Sequence, residues 1–188
     1  ETTGTEVGWH EIVQIAIVPV DDELTVCGSV FYQDIKPQFP ERAVAEAMEV
    51  NGLDLDKLEN CPDSDQVARW LDDYIQRLGG AVTPLAHNWS FESSFLSAWL
   101  GCDHKDQLFR PDARDGYLLS LQINDLAARL GKKPSYERGS LSWLADYFDI
   151  EAENAHDALA DCYTEIAVYR RLVSDLENLL FLQVPQEQ

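Results

Sequence analysis

Basic residues are scarce in this 188-residue chain: 14 Lys and Arg stand against 34 Asp and Glu, a formal net charge of −20. A protein that grips nucleic acid by bulk charge alone should be basic. The balance therefore excludes tight, non-specific binding to a duplex. Long apolar runs are also missing, since none approaches the roughly 20 residues that a membrane span needs. No basic start followed by an apolar stretch is visible, so a signal peptide is not expected. The four cysteines, Cys27, Cys61, Cys102 and Cys162, form no Cys-x-x-Cys pair. That argues against a zinc framework and a small disulfide scaffold. Reduced, mostly buried thiols in a cytoplasmic compartment are the expectation.

What is present is enough for a core. Hydrophobic residues make up 45% of the chain, with seven Phe, seven Tyr and five Trp. Without an internal repeat or a long linker, one domain over 1–182 is expected, with a loose polar tail at 183–188. The charge is uneven: seven of the 14 basic residues lie between 105 and 138, among them Lys132, Lys133 and Arg138. That stretch reads either as a solvated face or as a phosphate-contacting rim on an acidic body.

Residues 11–20 and 24–35 alternate and are rich in Ile and Val, with the polar turn Asp21-Asp22-Glu23 between them. They read as an antiparallel hairpin. Pro40 suits the first turn of a helix that Asn51-Gly52 would stop. Asp63 or Ser64 can cap the next helix, in which Val67, Trp70, Leu71, Tyr74, Ile75 and Leu78 recur at helical spacing. A short strand is expected at 81–86, a helix at 91–101, a strand at 116–120, helices at 120–130 and 140–148, and a long last helix from 157 to 180. Trp70, Trp99 and Trp143 read as core; His10 and His104 read as surface histidines. This mixed alternation indicates an α/β fold.

Three segments carry chemistry: Glu1-Thr2-Thr3-Gly4-Thr5, His87-Asn88-Trp89-Ser90-Phe91-Glu92 and His156-Asp157-Ala158-Leu159-Ala160-Asp161. Each has a bland reading: a turn, a loop after a strand, and a solvated acidic helix face. In order and spacing they resemble the DEDDh (DnaQ-like) 3′–5′ exonuclease family. Its motifs are Asp-x-Glu-Thr-x-Gly, His-Asn-x-x-Phe-Asp and His-x-Ala-x-x-Asp. The likeness runs along nearly the whole chain: the strand at 12–18, the segment AMEVNGL and the helix LSWLADYFDI have counterparts. It implies a ribonuclease H-like fold, a mixed central sheet of about five strands flanked by helices.

The resemblance also implies a site. Glu1 and Asp161 would be metal ligands and Glu92 the acid of the second motif. His156 would be the general base, and Glu1, Asp161 and His156 the catalytic set. Thr2, Thr3, Gly4, His87, Asn88, Trp89 and Phe91 would contact substrate; the first three through backbone N–H groups, His87 and Asn88 directly or else as structural polar groups supporting the site, Trp89 by stacking or else by packing. Phosphodiester cleavage builds charge on an already anionic group, and two hard divalent ions roughly 4 Å apart can clamp the attacking and leaving oxygens. Mg²⁺ or Mn²⁺, two ions, is the expected cofactor, because hard cations take carboxylate oxygens. A spacing of five puts His156 and Asp161 on different helix faces. The histidine must therefore sit in a loop or first turn, for which Asn154-Ala155 is suitable.

Two departures stand out. The family's first Asp would fall two residues before Glu1, together with the buried strand that carries it, which points to a longer protein. Glu92 stands where the family has Asp. The expected substrate is a single-stranded or frayed 3′ end of DNA, with short RNA second; a homodimer or a polymerase would be the protein partner. A rival reading makes the chain an inactive binding or scaffolding module. Another takes His156-Asp157 as the pair of an HD-type phosphohydrolase, but the two strand segments do not suit that all-helical fold.

Overall fold

The computed structural model describes residues 1–152 and 156–181. The loop through Asn154 and Ala155 and the tail at 183–188 lie outside the described residues. Two short antiparallel strands come first, β1 (Gln14–Ile17) and β2 (Phe31–Asp34), paired Gln14 to Asp34 through Ile17 to Phe31. After a 3₁₀ turn at Pro40–Arg42 come α1 (Ala45–Asn51), α2 (Leu55–Leu58) and α3 (Ser64–Arg77). Then follow β3 (Leu85–Ala86), α4 (Trp89–Leu100), α5 (Cys102–Leu108) and β4 (Arg114–Asp115). The last elements are α6 (Gly116–Arg129), α7 (Leu141–Tyr147) and α8 (Ala158–Phe181).

The α3 helix shows how pattern becomes packing. Asp63 accepts the Gln66 N–H at 2.8 Å and caps it. Val67, Leu71, Tyr74 and Ile75 then share one buried face. Each fully buried aliphatic side chain contributes roughly 1.5–3 kcal/mol. That face joins Phe31, Ile35, Leu96, Leu108 and Phe109 in one core cluster. A second cluster packs α6, α7 and α8 around Ile123, Leu144, Val168 and Leu172. No helix among the described residues is long and apolar enough to cross a membrane.

The expected single sheet of about five strands is corrected. Among the described residues there are two sheets of two strands, β1–β2 antiparallel and β3–β4 parallel. Isolated bridges extend them at Thr2–Ile12 and Val82–Phe109. Residues of β1 and β3 both line one open groove of about 1380 Å³. A sheet is continuous only where neighbouring edges exchange hydrogen bonds, and no described strand lies between these two.

Local corrections have local causes. The helix expected from Pro40 is broken at Ala43, which is extended, because the Val44 N–H donates to Thr3 O at 2.8 Å instead of to its own helix. The strand expected at 116–120 is helical. Extended pairing ends at Asp115, whose carboxylate accepts the Leu118 N–H and starts α6. Helices α2 and α5 were not expected. Trp70 is 37% exposed rather than core. Cys27 and Cys102 are exposed thiols, and all four cysteines are free. His104 is partly buried and pairs with Asp72 at 2.7 Å. The ring of His10 packs over Gly4.

Candidate metal centre

Glu1 enters the site on an extended segment. Its N–H donates to Gln14 O at 2.6 Å, its carbonyl accepts from Val13 at 2.9 Å, and Thr3 N–H donates to Glu11 O at 2.9 Å. These bonds lay residues 1–3 antiparallel against 11–14. Asp161 sits in the first turn of α8. His156 precedes that helix in a left-handed turn (φ 70°), its own N–H donating to Asp161 Oδ1 at 3.2 Å. The turn brings together side chains that a continuous helix would separate. Ligand atoms of Glu1, His156 and Asp161 all lie within 4.8 Å of one another.

The electrostatics favour a cation there. Burial raises the pKa of Glu1, and Asp161 raises it further. Burial likewise raises Asp161, partly offset by the hydrogen bond from His156. Two carboxylates that resist ionising side by side gain from a shared positive charge. Their oxygens and the imidazole are donors that a divalent ion accepts, so the residues present fit a metal.

Glu92 stands apart from that three-residue cluster. It lies on the first turn of α4, and its Oε2 is buried with no hydrogen-bond partner among the described residues. Burial pushes its pKa up to about 7, with Asp115 adding to the rise. Glu165, which the sequence reading missed, has its pKa pushed up to about 8 by burial and then by Glu92. A signal for it existed: Asp161 and Glu165 are four apart and share one face of α8.

The second motif is built into the frame. His87 N–H donates to Glu165 Oε1 at 2.7 Å. The His87 ring meets Gly139 O through Nε2 at 2.6 Å; a carbonyl only accepts, so Nε2 carries the proton. Burial holds the pKa of His87 below its usual value. Asn88 is left-handed (φ 78°), a conformation Asn tolerates better than most residues. Asp115 accepts the N–H groups of Asn88 at 3.2 Å and Trp89 at 2.9 Å. Trp89 packs on Phe109 with ring centroids 5.9 Å apart, and Phe91 on Phe95 at 4.9 Å.

The expected substrate contacts divide accordingly. Thr2, Gly4, His87, Trp89 and Phe91 line the groove with Glu1, Glu92 and Asp161. Thr3 does not: it is 0% exposed, its N–H is taken by Glu11 O, and its Oγ1 accepts the Glu11 N–H. Its N–H and hydroxyl are thus both engaged with Glu11. Asn88 is exposed but is not among the groove residues. Gly4 has a packing reason to be glycine: a Cβ there would stand 2.7 Å from the His10 ring.

Comparison with known proteins fits this geometry. Residues 1–92 match the family model RNase_T, described as exonuclease. No curated protein matches the chain in sequence. Among solved structures, Escherichia coli exonuclease I in complex with a dT13 oligonucleotide is similar with a TM-score of 0.71 and 20% identity, over 97% of this chain and 41% of that one. Exonuclease I from Methylocaldum szegediense is similar with a TM-score of 0.71 and 22% identity, over 97% and 40%. A 3′-exonuclease solved in recognition of the histone mRNA stem-loop gives a TM-score of 0.64 and 14% identity, over 89% and 57%. The chain thus spans about two fifths of the exonuclease I structures. Residues 1–92 are thus similar to the exonuclease family RNase_T, and 97% of the chain shares the fold of the exonuclease I structures.

Proposed function

We propose that this domain is a 3′–5′ exonuclease that removes nucleoside 5′-monophosphates from the 3′ end of single-stranded DNA, with short RNA as the second substrate. The observation that carries this reading is the convergence of Glu1, His156 and Asp161 from distant parts of the chain. Bound Mg²⁺ or Mn²⁺, two ions, would supply charge neutralisation and a nucleophilic water at neutral pH. Glu1 and Asp161 would hold the ions, with Glu92 reaching in from α4. The exposed imidazole of His156 would take the proton of the attacking water, and the bond from its N–H to Asp161 keeps it over the site. Thr2, Gly4, His87, Trp89 and Phe91 would receive the terminal nucleotide; the exonuclease I complexes with oligonucleotides support a single strand as substrate.

The test is digestion of end-labelled DNA and RNA oligonucleotides by the full-length protein, with Mg²⁺ and with a chelator. Mononucleotide release from the 3′ end, only with Mg²⁺, is expected. Binding without any digestion would replace this reading with that of an inactive nucleic-acid-binding module.

A further inference from the structure

We infer that Gln14 is a positioning residue that sets the separation between Glu1 and the pair His156–Asp161; the inference rests on the metal-site reading above. Gln14 is a polar residue in an apolar strand, only 3% exposed. A buried amide is retained only where its hydrogen bonds are made. Those of Gln14 reach both halves of the site.

Its main chain holds the first half. Gln14 O accepts the Glu1 N–H at 2.6 Å, and Gln14 N–H donates to Glu1 O at 3.3 Å. Its side chain holds the second. Oε1 accepts the N–H of Ala158, the first residue of α8, at 2.8 Å. A backbone N–H can only donate, so the oxygen must face the helix and Nε2 must face away. Nε2 donates to Asp34 Oδ1 at 2.8 Å and to the Tyr32 hydroxyl at 3.0 Å. Tyr32, having accepted there, donates its own proton to Asp157 Oδ2 at 2.5 Å. Asp157 Oδ1 accepts the N–H groups of Leu159 at 3.1 Å and Ala160 at 3.0 Å. Asp157 and Ala158 are adjacent, so the bonds close a ring: Ala158 to Gln14, Gln14 to Tyr32, Tyr32 to Asp157.

His156 stands two residues before Ala158 and Asp161 three after it. The ring therefore pins the segment that carries both, while the backbone of the same glutamine pins Glu1. A cluster of carboxylates tends to spread when no cation holds it. A constellation of ligands must be held to within roughly 0.5 Å to work. Gln14 resists that spreading from the centre, without itself touching metal or substrate.

The test uses Gln14→Met and Tyr32→Phe in the full-length protein. Gln14→Met keeps length and volume and removes the side-chain bonds; Tyr32→Phe opens the ring at one link. Mn²⁺ binding is read by the electron paramagnetic resonance of free Mn²⁺, alongside kcat, KM for a single-stranded oligonucleotide, and Tm. Loss of a group that orients metal ligands typically costs 10–100-fold in affinity or activity. Gln14→Met is expected to weaken Mn²⁺ binding and lower kcat by about that much, leave KM within about two-fold, and recover kcat at high Mn²⁺. Tyr32→Phe should move the same way by less. The double variant should be no worse than Gln14→Met, because both break one ring. If Gln14→Met lowers Tm but keeps wild-type Mn²⁺ affinity and kcat, Gln14 is only a core residue and the inference falls alone. If Gln14→Met does not fold, wild-type Mn²⁺ affinity in Tyr32→Phe overturns it equally. A wild-type protein that binds no Mn²⁺ overturns the metal-site reading, and this inference with it.

Discussion

The backbone N–H of His87 donates to Oε1 of Glu165 at 2.7 Å, joining the end of β3 to α8 one turn beyond Asp161. This bond sets a buried acid at the junction of the second and third motifs. Burial first, then Glu92, pushes the pKa of Glu165 up to about 8. A carboxyl whose folded pKa lies above its unfolded value binds more protons when folded. Its contribution to stability is then fully present below the unfolded pKa, near 4.5, and is lost as pH rises toward 8. Glu92, at about 7, acts in the same direction. Without added metal, Tm should fall by about 5 °C or more between pH 5 and 8. Glu165→Gln, which keeps an acceptor for His87, should flatten that slope; an unchanged slope would contradict the assignment.

Asp161→Asn retains an oxygen that can accept the His156 N–H, so the turn before α8 should survive. The anionic ligand is lost. Mg²⁺-dependent digestion should drop by more than about 100-fold with little change in circular dichroism. Full activity in this variant would remove Asp161 from the ligand set.

His156→Ala tests the base separately. General-base catalysis is worth roughly 10²–10⁴ in rate, and the loss should appear in single-turnover cleavage with substrate affinity nearly unchanged. A variant that only raises KM would show that the ring binds substrate and does not move a proton.

The basic loop between α6 and α7 is attached to the second motif, since Gly139 O meets the His87 ring at 2.6 Å. Lys132, Lys133 and Arg138 on that loop are exposed. Replacing all three with Ser should weaken single-strand binding and flatten the log Kd against log salt slope by about 0.7 per lost phosphate contact. An identical slope would return these residues to an ordinary solvated face.

Gly4→Ala would put a methyl group 2.7 Å from the His10 ring. Overpacking of this kind costs about 1–3 kcal/mol, read as a lowered denaturation midpoint. His10→Ala in the same chain should restore most of the loss, because the clash has one partner. Additive losses would place the cause elsewhere.

Much of the fold was legible because local physics decides it. The α3 helix follows from a cap at Asp63 and an apolar face at helical spacing, and Gly52 (φ 66°) ends α1 where a stop was expected. Other features were not local. Val44 leaves the helix register for a bond to Thr3, forty-one positions away, and no periodicity reports that. The start of α6 turned on one side-chain cap at Asp115. Continuity of the sheet depends on pairing between edges, and alternation within a strand says nothing about which edge finds a partner.

The amino-acid sequence by itself determined the chemistry available: a histidine and carboxylates in three ordered motifs, on an acidic chain poor in bulk positive charge. Short-range spacing also required His156 to precede its helix if it was to face Asp161. Only the tertiary structure decided that Glu1 meets them within 4.8 Å, that Thr3 is withdrawn from the groove, and that Glu165 is buried beside the second motif. The reason is that ligand geometry and burial are set by contacts between residues far apart in the chain. Hydrogen bonds such as Gln14 to Ala158, separated by 144 positions, form only when the whole domain has packed.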